Sequence, residues 1–196
     1  MENCQLEDVF PSPIFRIKMG WDTSFLYEKC IELRNKDRDN NIEKSNVGGW
    51  QSRSIINCDY ILDSDHISHL SGVINSCSEH IGLPKLEIDN YWVNINGYKD
   101  YNSFHDHPRS ILSGAYYIKT PENCGAIEFS HPMTAILQRD WDHQNIAFNR
   151  FTSSLWRYRV SEDSLLLFPS WLNHRVLPNL SSEERVSISF NSTYIK

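Results

Sequence analysis

Two periodicities divide the chain near residue 84. Before that point the longer apolar patterns recur at helical spacing; after it they alternate, apart from residues 132–153. In the first part, Ile67, Leu70, Ile74, Cys77 and Ile81 keep three- and four-residue steps behind an Asp63-Ser64-Asp65 cap, and Gly82 followed by Pro84 stops the run. This predicts an amphipathic helix whose stripe packs on a sheet. A second helix is predicted behind Asp22-Thr23-Ser24, with Leu26, Cys30 and Leu33 on one stripe. Ahead of it, residues 9–17 alternate after Pro11 and Pro13, which suits an edge strand because proline has no donor for an inner ladder.

From Lys85 the period is two. Residues 86–96 form a long strand with Trp92, Asn94 and Asn96 on one face and Tyr91, Val93 and Ile95 on the other. Further strands are predicted around His105 and over 111–118, 126–129, 154–160, 164–168, 174–177 and 184–191, with turn residues between them. Residues 34–49 are polar and read as an exposed connection, and 132–153 read as irregular. Helices followed by about eight strands predict an α+β, mainly β chain: a double-stranded β-helix, or jelly roll, with N-terminal supporting helices. The length suits a single domain over 1–196, with 1–84 as strand and helical support and 85–196 as the core.

Composition narrows function more than fold. The net charge of -6 comes from dispersed acidic residues with no long basic run, which excludes extended nucleic acid as a partner. A small anionic ligand is still allowed, since it needs only a local group such as Arg185. Cys4, Cys30, Cys58, Cys77 and Cys124 are odd in number, widely spaced and without a CxxC pair, and no basic-then-apolar leader opens the sequence. Free thiols in a reducing cytoplasm are therefore expected. Apolar runs stop far short of a bilayer span, so no membrane partner is expected, while a homodimer stays open.

The candidate chemistry lies between Phe104 and Ser187. His105 and His107 alternate across Asp106, so on an extended strand both imidazoles leave one face. His174 follows far along the chain, after Leu165-Leu166-Leu167-Phe168. Two ligands from one strand and a third from a distant one make a facial set with open positions for a redox metal. Arg185 begins an alternating strand where an anion could be anchored. The plainer reading makes Arg185, Ser187, Ser189 and Asn191 the solvent face of that strand, with Val186, Ile188 and Phe190 inside. Tyr116 and Tyr117 could both be packing aromatics. Trp92, Asn94 and Asn96 could line a substrate mouth, although tryptophan is more often core. His66, His69 and His80 read as helix-surface residues, and His131 and His143 as loop residues.

Several motifs in order resemble one family. Phe104-His105-Asp106-His107-Pro108, Leu112-Ser113-Gly114-Ala115-Tyr116-Tyr117, Gly125-Ala126-Ile127-Glu128-Phe129, Phe168-Pro169-Ser170-Trp171-Leu172-Asn173-His174 and Glu184-Arg185-Val186-Ser187-Ile188-Ser189-Phe190-Asn191 are similar to bacterial and phage iron(II)- and 2-oxoglutarate-dependent oxygenases. The likeness runs from about Phe10 to the end of the chain and extends more distantly to prolyl hydroxylases. It implies His105 as first metal ligand and His174 as last, with Arg185 and Ser187 on the distal carboxylate of 2-oxoglutarate. It also implies that Tyr116 donates its hydroxyl to that carboxylate. At the second ligand position most of the superfamily has Asp or Glu, and this chain has His107. A neutral imidazole leaves the metal more electron-poor. Asp106 is the rival ligand, but on a regular strand it points away from His105 and needs a bulge to reach the metal.

The resemblance implies Fe(II), 2-oxoglutarate and molecular oxygen acting on a small-molecule or peptidyl substrate, hydroxylated with release of succinate and carbon dioxide. Specificity would lie in loops 38–52 and 132–153. Two other functions fit the same residues: a three-histidine cupin-like dioxygenase that does not use 2-oxoglutarate, and a non-catalytic jelly-roll binding module.

Overall fold

The computed structural model describes residues 4–56, 61–141 and 146–195. The predicted helices form where their caps lie. α1 (Thr23–Lys36) starts with the Asp22 carboxylate accepting from the backbone N–H groups of Ser24 and Phe25. α2 (Ser64–His80) starts in the same way, with Asp63 accepting from Asp65 and His66. Ile81 ends α2, and Gly82 takes the positive φ expected just beyond it.

Eleven strands are found among the described residues, all paired antiparallel. They are β1 (Phe15–Lys18), β2 (Asn46–Val47), β3 (Trp50–Gln51), β4 (Leu86–Asn96), β5 (Tyr101–His105), β6 (Leu112–Lys119), β7 (Ala126–Ser130), β8 (Leu155–Arg159), β9 (Ser164–Pro169), β10 (His174–Val176) and β11 (Arg185–Tyr194). The larger sheet runs β1-β9-β6-β11-β4-β3, with β1 on the edge that the sequence predicts for it, although the strand begins only after Pro11 and Pro13; the smaller runs β2-β5-β10-β7-β8.

The larger sheet is covered on both sides. On its outer face Tyr91, Val93, Ile95, Leu112, Ile118, Val186, Ile188 and Phe190 pack against Leu26 and Cys30 of α1 and Leu70 and Ile74 of α2. Ala115, Tyr117, Leu166 and Phe168 on its inner face meet Ile127 and Phe129 of the smaller sheet in a second core. This is the double-stranded β-helix with N-terminal supporting helices that the alternation predicts.

Two stretches differ from expectation. The connection 34–49 carries the last turn of α1 and then β2, and Ile42 N–H donates to the Gln51 carbonyl, tying it to β3. Within 132–153, α3 (Thr134–Asp140) forms although Met133 offers no side-chain cap and no residue of the helix is buried. Cys4, Cys30, Cys77 and Cys124 are free thiols. Cys58 and His143 lie outside the described residues. No helix among the described residues is long and apolar enough to cross a membrane.

Candidate functional site

A cavity of about 620 Å³ lies between the sheets, and strand alternation determines what lines it. Along β11 every second side chain, Arg185, Ser187, Ser189 and Asn191, faces the cavity, while Val186, Ile188 and Phe190 face the helices. Register then builds rows across the larger sheet. Asn96 stands opposite Arg185, Asn94 opposite Ser187, and Trp92 opposite Ser189, and all three β4 residues line the cavity.

On the facing wall, β10 lies between β5 and β7, and His174 pairs directly with His105. His107 lies two residues beyond the end of β5, where its backbone N–H donates to the Ser170 carbonyl. The ligand atoms of His105, His107 and His174 come within 4.8 Å of one another. Asp106 is exposed and is not part of that cluster.

Each imidazole is fixed through its Nδ1. His105 Nδ1 bonds the Ser103 carbonyl at 2.8 Å, His174 Nδ1 bonds the Leu172 carbonyl at 2.9 Å, and His107 Nδ1 bonds Asn191 Oδ1. Because these acceptors have no proton to give, Nδ1 must carry the hydrogen in all three rings, which leaves the Nε2 lone pairs free. Burial keeps the rings neutral: it pushes His105 and His107 below the usual histidine range, and burial followed by the charge of His105 pushes His174 down to about 3. Three neutral, oriented imidazoles on one wall suit a divalent first-row metal with open positions.

Arg185 provides the complementary charge. It is 1% exposed, and its Nη1 donates to the backbone carbonyls of Cys124 and Leu177, yet Nη2 has no hydrogen-bond partner. Among the described residues no carboxylate forms an ion pair with it. A buried guanidinium without a counter-ion is costly, and a bound anion in the cavity removes that cost. Ser187 lines the cavity beside it.

Tyr116 does not reach this space. Its strand phase turns it with Leu112 and Ile118 toward the helices, where its hydroxyl donates to Asp163 at 3.1 Å and its ring packs against Trp21. Tyr117, one residue on, is the tyrosine that lines the cavity. Burial pushes its hydroxyl well above the usual tyrosine range, so it remains a donor at neutral pH.

The other histidines among the described residues are structural. Trp21 Nε1–H donates to His69 Nδ1 at 3.0 Å, and the same indole meets His66 edge-on. His80 packs on Phe15, and His131 accepts from Met133 N–H. Trp92, Asn94 and Asn96 are cavity residues that sequence reasoning set aside, and Trp92 lies beside His107 with ring centroids 5.6 Å apart. The signal was available in the predicted helices. If they cover one face of the sheet, its apolar side chains belong under them and the alternate polar ones must face inward.

The protein-family model described as "Putative 2OG-Fe(II) oxygenase" matches residues 90–191, just over half of the chain. A search of curated proteins returns no match. Among solved structures, a Pseudomonas putida prolyl-4-hydroxylase is 12% identical with a TM-score of 0.62, covering 94% of each chain. The viral collagen prolyl hydroxylase of Paramecium Bursaria Chlorella virus-1, in its 2OG complex, is 14% identical with a TM-score of 0.56, covering 92% of this chain and 96% of that one. A Trichoplax adhaerens prolyl hydroxylase in complex with a hypoxia inducible factor oxygen degradation domain peptide fragment is 16% identical with a TM-score of 0.60, covering 92% and 83%. At these identities the structural likeness establishes the shared fold.

Proposed function

The chain belongs to the 2OG-Fe(II) oxygenase family, and on that premise we propose that it is a hydroxylase in which His105, His107 and His174 hold iron(II) and Arg185 holds 2-oxoglutarate. Fe(II) and 2-oxoglutarate are the cofactor and cosubstrate of the family. The observation that carries the residue assignment is the buried Arg185, whose Nη2 lacks a partner in the same cavity that the three histidines line.

When bound, the metal would supply a site for dioxygen activation coupled to oxidative decarboxylation of 2-oxoglutarate to succinate and carbon dioxide, one oxygen atom passing to succinate and the other to the substrate. The chain's own residues do the rest. The three clustered imidazoles offer their free Nε2 lone pairs, and the Nδ1 bonds hold the rings in place at little reorganisation cost. Arg185 offers a permanent charge and a forked donor to the distal carboxylate, with the Tyr117 and Ser187 hydroxyls as further donors. Ala115, Ile127, Phe168 and Val176 line the same cavity and keep water from the reacting centre. Residues 1–196 act as one oxygenase domain in this reading.

A C–H bond of a small-molecule or peptidyl substrate would enter beside Trp92, His107 and Asp106, under the segment carrying Lys44, Ser45 and Gln51. The peptide bound by the Trichoplax enzyme supports keeping peptidyl substrates in view.

The test is anaerobic addition of iron(II) and then 2-oxoglutarate to the wild type and to Arg185→Ala. The expected result is a weak visible charge-transfer band in the wild type that fades in the variant. Tight iron binding with no band in the wild type would instead indicate a three-histidine dioxygenase that does not use 2-oxoglutarate.

A further inference from the structure

His105 and His174 are oriented by carbonyls two residues earlier in their own segments, a geometry that the backbone provides locally. His107 has no such support. It lies past the end of β5, and its Nδ1 reaches Asn191 on β11, 84 positions away. A side-chain amide can point either end at a ring, so Asn191 orients His107 only if something orients Asn191.

That orientation can be followed outward bond by bond. The Asp89 carboxylate accepts from Asn90 Nδ2 at 2.7 Å. An ionised carboxylate is acceptor-only, so Asn90 must turn its NH2 toward Asp89 and its Oδ1 away. Asn90 Oδ1 then accepts from Asn191 Nδ2 at 3.3 Å, which leaves Asn191 Oδ1 for His107. Ser113 Oγ–H donates to the same Oδ1 at 2.8 Å and lies 2.7 Å from Ser170 Oγ, and both serines are fully buried. The Oδ1 end is therefore held from two directions.

Sequence alternation alone would put Asp89 and Asn90 on opposite faces of β4. The β4–β11 register shifts at this point: Asn191 pairs with Asn90 and Ser192 pairs with Ile88, so Asp89 is the extra residue of a bulge. Bulges re-aim side chains, and this one allows the carboxylate to reach the amide of the next residue.

We propose that Asn191 is the positioning residue for His107, and that the bulged Asp89, acting through Asn90, sets which end of the Asn191 amide meets the imidazole. The relay fixes the Nδ1–H tautomer and directs Nε2 to the metal position. It also accounts for the residue type at 107, because an aspartate there would bring a carboxylate against Asn191 Oδ1 with no proton between them. The inference rests on the assignment of His107 as a ligand.

The experiment uses the full chain and cobalt(II) alone as probe, titrated anaerobically and followed by its visible d–d bands. Asn191→Leu should weaken cobalt binding by about 10–100-fold and alter the bands. His107→Ala separates the two readings. If its affinity equals that of the wild type, the ligand assignment fails. If it loses affinity while Asn191→Leu keeps wild-type affinity and bands, the positioning role fails. A measurement that needs no metal covers the case of a variant that does not fold: long-range nitrogen NMR of the metal-free protein should show His107 as the Nδ1–H form in the wild type. The exposed Asp89→Ala should convert it to a mixture of tautomers, and an unchanged Nδ1–H form in that variant would overturn the relay.

Discussion

His174 stands directly opposite His105 in the β10–β5 ladder, with ring centroids 4.3 Å apart. Two of the three proposed ligands are thus a cross-strand pair whose spacing is fixed by sheet register, before any metal arrives. The arrangement makes the metal-free protein sensitive to acid. A free histidine titrates near 6.5, all three of these are lowered by burial in the fold, and so below that pH the unfolded chain binds more protons. Stability is intact above about pH 6.5 and is lost as pH falls, at up to about 1.4 kcal/mol per unit for each ring, continuing for His174 toward its folded value. Urea midpoints of the metal-free protein should therefore drop between pH 7 and pH 5, and His174→Gln should flatten the slope. An equally flat profile in the wild type would mean that the rings are not buried together.

Arg185 should matter more for ligand binding than for stability. Replacing the buried guanidinium with the similarly long Met removes a desolvated charge but takes the donor from the Cys124 and Leu177 carbonyls, so Arg185→Met should melt close to the wild type in the absence of 2-oxoglutarate. In the wild type, 2-oxoglutarate at a hundred times its Kd should add about 2.7 kcal/mol of stability, and in the variant that gain should vanish. Thermal shifts with and without the keto acid read both effects at once.

The two adjacent tyrosines should separate cleanly. Tyr117→Phe removes a donor from the cavity and should raise the 2-oxoglutarate Kd by roughly threefold to tenfold, matching about 0.5–1.5 kcal/mol for one hydrogen bond. Tyr116→Phe loses the bond to Asp163 and should cost about 1 kcal/mol of stability with the Kd unchanged. Isothermal titration paired with denaturation reads both quantities, and a raised Kd in Tyr116→Phe alone would return the role to the residue that the family resemblance implies.

That pair also illustrates what was legible in the sequence. The α2 stripe, the caps at Asp22 and Asp63, the His105–His107 spacing and the charge at Arg185 were all readable, because each depends on spacing or on a local hydrogen bond, although His107 lies past the end of β5 and not on the strand with His105. Which tyrosine faces the cavity was not, since it depends on the phase of β6 against β11, and that ladder shifts between Val186 and Ser187. Alternation alone leaves two readings of the polar face of β11, a solvent face or a ligand-binding wall, because it cannot tell water from a wet cavity. α3 has neither a cap nor a buried stripe, so none of the usual helix signals marks it.

Gly114 gives a test of the packing rather than of the chemistry. A Cβ added there would run into the Phe190 ring and approach the Leu166 carbonyl at 3.1 Å. With the ring fully buried and unable to swing away, Gly114→Ala should destabilise the fold by about 1–3 kcal/mol. Phe190→Leu in the same chain should recover part of that loss, which a double-mutant cycle measures.

The covered outer face of the larger sheet has an evolutionary consequence. Tyr91, Val93, Ile95, Val186, Ile188 and Phe190 are committed to the helices, while their alternate neighbours Trp92, Asn94, Ser187 and Ser189 contribute little to either core. Selection can thus exchange what the cavity recognises without drawing on what keeps the chain folded. A library randomised at Trp92, Asn94 and Ser189 would explore new substrates with most of its members still intact, whereas the same effort one residue along each strand would mostly yield unfolded protein.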